Sequence, residues 1–291
     1  MTSFHPIDRR GIREPDPALL SINTATLWES CNLHRAAEAI RRHGIRGIAP
    51  WRDRVAEAGL RDAARIVRDN GLVVTGLCRG GMFPAAGRKE RRAAIDDNLR
   101  AVDEAATLEA RCLVIVAGGL PPGSKDLAGA RHMVRDGLGE ILHYGRSAGV
   151  PVAVEPLHPM YCADRACINT LGQALDLCDE LDPSASGAIG VAVDVYHLWW
   201  DPQLQRQIER AGEKRLLAFH MCDWLVPTRD LLLDRGMMGD GVIDIPQIRG
   251  WMEAAGYRGM HEVEILSASH WWKKDPDEVL STCRIRHQTA S

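Results

Sequence analysis

Four apolar runs in the second half of this chain each close on a side chain able to do chemistry. Glu155 ends VAVEP, Asp194 sits in VAVDVYH, His220 in LLAFHMCD, and Glu264 in MHEVEIL. A carboxylate set in an apolar strand loses its hydration, a severe loss unless a cation or hydrogen bonds replace the water. One such acid is readily explained by an ion pair. Three acids and a histidine, with no Lys or Arg in the same runs, would repel one another if they converged. A shared divalent cation removes that repulsion. A donor set of oxygens with one imidazole favours manganese or magnesium, with cobalt and zinc as alternatives, so the expected cofactor is one divalent metal. Glu262 shares strand parity with Glu264 and points to the same side at a different depth. Glu264 is nearer the carboxyl end and is the expected ligand.

Such a centre suits proton abstraction beside a carbonyl. A carboxylate cannot remove that proton unaided, but a cation holding the carbonyl and adjacent hydroxyl stabilises the developing enediolate. Glu155 and Glu264 would then serve as acid and base on opposite faces of the substrate. Returning the proton to a neighbouring atom gives isomerisation, and returning it to the other face gives epimerisation. Loss of a β-hydroxyl from the same enediolate gives a dehydratase. The expected function is an isomerase or epimerase, and the family that these strand ends resemble implies a small carbohydrate or keto-sugar as its substrate. The alternatives are a lyase acting on a keto-inositol or oxidised glycoside, and a non-catalytic, metal-bearing sugar-binding subunit.

Further residues could contact substrate. His197 follows Asp194 by three positions, and His158 in EPLHP either meets substrate or caps its loop. Asn23 and Trp51 close early strands. Arg79, followed by Gly80 and Gly81, marks a loop whose backbone could approach an anionic substrate. The pairs Trp199–Trp200 and Trp271–Trp272 either wall a sugar pocket or pack between protomers.

The elements that must position these residues follow from the periodicity. Eight apolar runs read as strands: LLSINTA, GIRGIAP, LVVTGLC, CLVIVAG, VPVAVEP, GVAVDVY, LLAFHMC and GMHEVEIL. Most are apolar throughout, as in parallel strands covered on both faces. Between them lie amphipathic stretches such as HRAAEAIRRHG, VAEAGLRDAARIVRDNG and RHMVRDGLGEILHYGRSAG, several stopped by glycine. No glycine follows the first strand, and neither a dinucleotide-binding fingerprint nor a P-loop is present. One uninterrupted series of β/α units predicts an α/β fold, a single-domain (β/α)₈ TIM barrel, whose active site lies at the carboxyl ends of its strands.

The chain has 291 residues and a formal net charge of -3. That length suits one barrel, and that charge argues against a nucleic-acid partner. Residues 1–17 read as a polar, Pro-rich arm ahead of a barrel over 18–291. With no apolar leader, no span long enough for a membrane and eight cysteines lacking any C-x-x-C pair, the expectation is a cytoplasmic protein with reduced thiols.

At these residues the sequence resembles the xylose isomerase-like TIM-barrel superfamily, and within it sugar isomerases and epimerases of the tagatose 3-epimerase and hydroxypyruvate isomerase type. The resemblance covers nearly the whole chain after Pro17. It is carried by VAVEP, by D-V-Y-H from Asp194 to His197, by His220 and by Glu264. It implies that Glu155, Asp194, His220 and Glu264 bind a divalent metal, often manganese, with the two glutamates flanking substrate and His197 touching it. It also implies a substrate-binding arginine after the strand-seven histidine, of which Arg229 is the nearest. Members often form dimers or tetramers, leaving a homo-oligomer open. The superfamily includes endonucleases with a three-zinc cluster, which need further histidines. LCRGGMFP and IVAGGLPP contain none, and Asp234-Arg235-Gly236 has glycine where those enzymes carry histidine. One metal and no nucleic acid is the expectation.

Overall fold

A computed structural model describes residues 14–291. The expected arm over residues 1–17 therefore falls mostly outside the described residues. At its visible end, Asp16 caps a 3₁₀ turn at Pro17–Leu19 and Pro15 accepts a hydrogen bond from Gln288.

Strands and helices alternate in chain order. The first half comprises β1 (Leu20–Asn23), α1 (Leu33–Arg42), β2 (Gly47–Ala49), α2 (Arg52–Ala58) and α3 (Leu60–Asp69). It continues with β3 (Val73–Val74), β4 (Leu77–Gly81), α4 (Arg88–Thr107), β5 (Leu113–Val116) and α5 (Leu127–Ala148). The second half comprises β6 (Val152–Glu155), α6 (Leu171–Leu181), β7 (Ile189–Asp194), α7 (Val195–Leu198) and α8 (Leu204–Arg215). Then come β8 (Leu216–Met221), the short hairpin of β9 (Asp223–Trp224) and β10 (Arg235–Gly236), α9 (Ile245–Ala254), β11 (His261–Val263) and α10 (Pro276–Ala290).

The main sheet is parallel in every pairing and runs β3-β2-β1-β11-β8-β7-β6-β5-β4. It is a nearly closed barrel. The third expected strand, LVVTGLC, is two pieces: β3 pairs with β2, while β4 pairs with β5. The chain itself carries the ladder across the gap, helped by Thr75 N donating to Ile48 O and Cys78 N to Pro50 O. At the break the Thr75 hydroxyl leaves the ladder and meets Ser21 and Glu262, at 2.9 Å each.

The helices bury the faces their periodicity marks, Leu33, Ala36, Ala37 and Ile40 on α1 among them. VAEAGLRDAARIVRDNG divides into α2 and α3 because Gly59 takes φ +81°, a conformation that costs other residues dearly. Beyond the eighth barrel strand the structure adds α10, which the sequence analysis does not name; Asp275 caps it and Pro276 opens it. Its Asp277 binds Arg42 of α1 and the C-cap His43 at 2.8 Å each, joining first and last helices, though an exposed contact of this kind contributes little. Among the described residues no helix is long and apolar enough to cross a membrane, and all eight cysteines are free.

Candidate metal centre and active site

The parallel register delivers the four candidate ligands to one level. Glu155 and Asp194 are the last residues of β6 and β7, and Asp194 is the register partner of His220 on β8. Glu264 follows β11 directly, and its N–H extends the ladder to Met221 O. One ligand atom from each of Glu155, Asp194, His220 and Glu264 lies within 4.8 Å of all the others, and all four residues are buried.

The donor chemistry fits a divalent cation. His220 turns Nδ1 to Glu155 Oε1 at 2.8 Å, while Nε2 faces Glu262 at 3.5 Å without a hydrogen bond. Glu262 is itself held by Asn23 and Thr75. A carboxylate beside one imidazole nitrogen, here Glu262 at Nε2, orients the ring and leaves the other, Nδ1 on the Glu155 side, for a metal. Glu262 thus lies beneath the group of four.

Burial pushes the Asp194 carboxyl up to about 6 and that of Glu264 up to about 7; in both, the Glu155 charge adds to the rise and the Arg235 guanidinium opposes it. For His220 burial works against the charged form, yet Glu262 and Glu155 hold its pKa well above the usual value. Carboxyls whose folded pKa is raised stabilise the fold at low pH and lose that contribution as pH rises through the folded values. A cation entering the group would have to displace their protons, so its binding would tighten as pH rises. Manganese is expected to raise the Tm more at about pH 8 than at about pH 6, read by thermal denaturation. Equal gains at both would separate the cation from Asp194 and Glu264.

Arg235 is the residue that sequence reasoning missed. Its Nη1 lies 3.2 Å from Asp194 Oδ2 and 3.1 Å from Glu264 Oε2, and Nη2 reaches His197 Nε2 at 3.3 Å. The guanidinium also lies over the Tyr196 ring, 4.4 Å from its centroid. Asp223 positions the loop that carries it, accepting N–H bonds from Trp224, Gly239, Gly241 and Ile243 at 2.8–3.0 Å. Tyr161 and Tyr196 both donate to Leu231 O in the same loop.

Arg229, the arginine expected after the strand-seven histidine, is engaged elsewhere. Its side chain is 67% exposed and pairs with Asp234, because the loop turns back before reaching the site. Asn23 also lies off the cavity wall, donating to Glu262 and Glu264 at 2.7 and 3.0 Å. The His158 ring packs against Trp200 and Trp224, and its Nδ1 accepts from Met160 N, which is the loop-capping alternative. Of the paired tryptophans, Trp200 donates to His197 O and Trp272 to Ala25 O and Ile265 O. None of the four lines the cavity.

A cavity of about 460 Å³ opens at this end of the barrel. Glu155, Glu264, His197, Arg235, Arg79 and Trp51 line it, with Tyr161, Leu157 and Leu266 among its other walls. Burial and then the Arg235 charge hold the His197 pKa well below the usual value, so the ring is neutral. Because a guanidinium can only donate, Nε2 accepts from it and the proton sits on Nδ1. That buried N–H has no partner within the protein. The expected backbone approach after Arg79 is closed off: Gly81 N donates to Asn98 Oδ1 and Met82 N to Val116 O.

No curated protein matches the chain in sequence. Among solved structures, protein SMc04130 from Sinorhizobium meliloti 1021 is similar, with 59% identity, a TM-score of 0.91, and coverage of 94% of this chain and 99% of that one. The IolI protein with a bound zinc atom is 20% identical at a TM-score of 0.78, over 91% of this chain and 95% of that one. The 3-keto-D-glucoside 4-epimerase YcjR from E. coli is 19% identical at a TM-score of 0.72, over 92% and 99%. The likeness to the last two is one of fold. Residues 37–283 match the profile of the xylose isomerase-like TIM barrel, and the chain belongs to that family.

Proposed function

We propose that the protein is a divalent-metal-dependent isomerase or epimerase acting on a small carbohydrate or keto-sugar by moving a proton beside a carbonyl. The observation that carries the reading is that Glu155 and Glu264, both buried, line one cavity with His197 and Arg235. A divalent cation held by Glu155, Asp194, His220 and Glu264, with manganese the preferred choice, would polarise the carbonyl and adjacent hydroxyl of a bound sugar. The same fold carries zinc in the IolI structure and epimerase activity in YcjR, in keeping with the proposal.

The chain's own residues supply the remaining steps. One glutamate takes the proton, and either it or its partner returns the proton to a neighbouring carbon or to the opposite face. His197 offers its unpartnered Nδ1–H to a substrate oxygen. Arg235 holds Asp194 and Glu264 in place and keeps charge beside the reacting oxygens. Leu157, Leu266 and Trp51 give the cavity apolar walls.

Solvent exchange tests this. Metal-loaded protein, incubated in deuterated water with a panel of neutral and acidic ketoses, is expected to introduce deuterium into recovered sugar. Glu155→Gln and Glu264→Gln should each slow that exchange by roughly 10²–10⁴-fold. Loss of water with a new chromophore would move the reading to a lyase. Recovered sugars free of deuterium across the panel, with no new product, would leave only a binding role.

A further inference from the structure

We infer that the substrate carries a carboxylate and that Arg79 and Arg165 form the subsite that receives it. The inference rests on the proposed sugar chemistry and adds the substrate's class. Arg79 comes from β4 and Arg165 from the loop after β6, yet both line the cavity that contains Glu155 and Glu264. Both are half-buried. Among the described residues neither guanidinium has a hydrogen-bond acceptor or a carboxylate partner; Arg165 rests only against the Tyr161 ring, 5.6 Å from its centroid.

Their isolation contrasts with the arginines around them. Arg235 is bound to Asp194 and Glu264, Arg229 to Asp234, and Arg52, which lines a neighbouring pocket together with Arg79, to Asp97 and Glu104. Asp164 also lines the cavity but is exposed and pairs with neither Arg79 nor Arg165. A cation drawn part-way out of water without a counter-charge is costly, and an incoming anion removes that cost. A guanidinium fork matches a planar carboxylate with two parallel hydrogen bonds. A phosphate ester would also want a cradle of backbone N–H groups, but beside Arg79 those of Gly81 and Met82 are already used. A keto-sugar acid therefore fits better than a sugar phosphate.

Binding to the metal-loaded protein tests the inference without turnover. The probes are D-gluconate, the neutral polyol D-glucitol and D-glucitol 6-phosphate, titrated by calorimetry. Gluconate is expected to bind about tenfold or more tightly than glucitol, with that preference weakening at high salt. Arg79→Gln and Arg165→Gln should each reduce the preference and the pair abolish it. Equal affinity for gluconate and glucitol overturns the inference. So does a preference that survives in the double variant, which would put the carboxylate on the metal instead. Tighter binding of the phosphate, sensitive to the same variants, overturns the choice of carboxylate. Deuterium exchange into neutral ketoses without any anion preference sinks this inference alone. An Arg-dependent preference without any exchange sinks only the enzymatic reading.

Discussion

Asp194→Asn is expected to leave a folded barrel that has lost most of its bound divalent cation and at least about 100-fold of its turnover. The change is nearly isosteric, so packing around this fully buried side chain survives. Its Oδ1 accepts from Tyr196 N at 2.8 Å, a bond that an Asn oxygen can keep. What disappears is the charge on Oδ2, which faces both the cluster and Arg235. Even groups that only orient metal ligands cost 10–100-fold in affinity or activity when changed, so loss of a charged ligand should reach at least the top of that range. Elemental analysis of the purified variant, with circular dichroism as the check on folding, decides the matter. Full metal occupancy in a folded Asp194→Asn protein would remove Asp194 from the centre.

Arg235→Met should produce the largest stability change. Metal-free, the variant keeps Asp194 and Glu264 buried without the guanidinium that bridges them, and breaking a buried ion pair from one side costs roughly 3–5 kcal/mol. The cost should grow with pH, because burial already pushes these carboxyls up to about 6 and about 7, and losing a positive neighbour raises them further. A saturating divalent cation supplies replacement charge and should recover part of the loss. Denaturant unfolding of both proteins, with and without manganese, measures each quantity. Arg235→Lys should fall between them, since one ammonium cannot reach Asp194, Glu264 and His197 with the geometry of a fork. A metal-free Arg235→Met protein as stable as its parent would show that the arginine compensates nothing.

The pattern of barrel staves, and the strand ends that carry Glu155, Asp194, His220 and Glu264, are legible in the amino-acid order alone. Both follow from short-range rules: buried parallel strands must be apolar along their length, and a polar residue interrupting one at its carboxyl end stands out. That order also separates Glu264 from Glu262 by depth, since side chains two apart on a strand share a face. The rest depends on contacts between distant parts of the folded chain. Thr75, at the break in the third stave, meets Glu262, a partner 187 positions away. Arg229 and Arg235 are equally visible as letters, yet a loop pinned by Asp223 and by two tyrosine hydroxyls buries one and leaves the other in solvent. Periodicity reports which way a residue faces within its own element. It carries no information on where a long loop returns, because that depends on hydrogen bonds and packing assembled from distant parts of the chain.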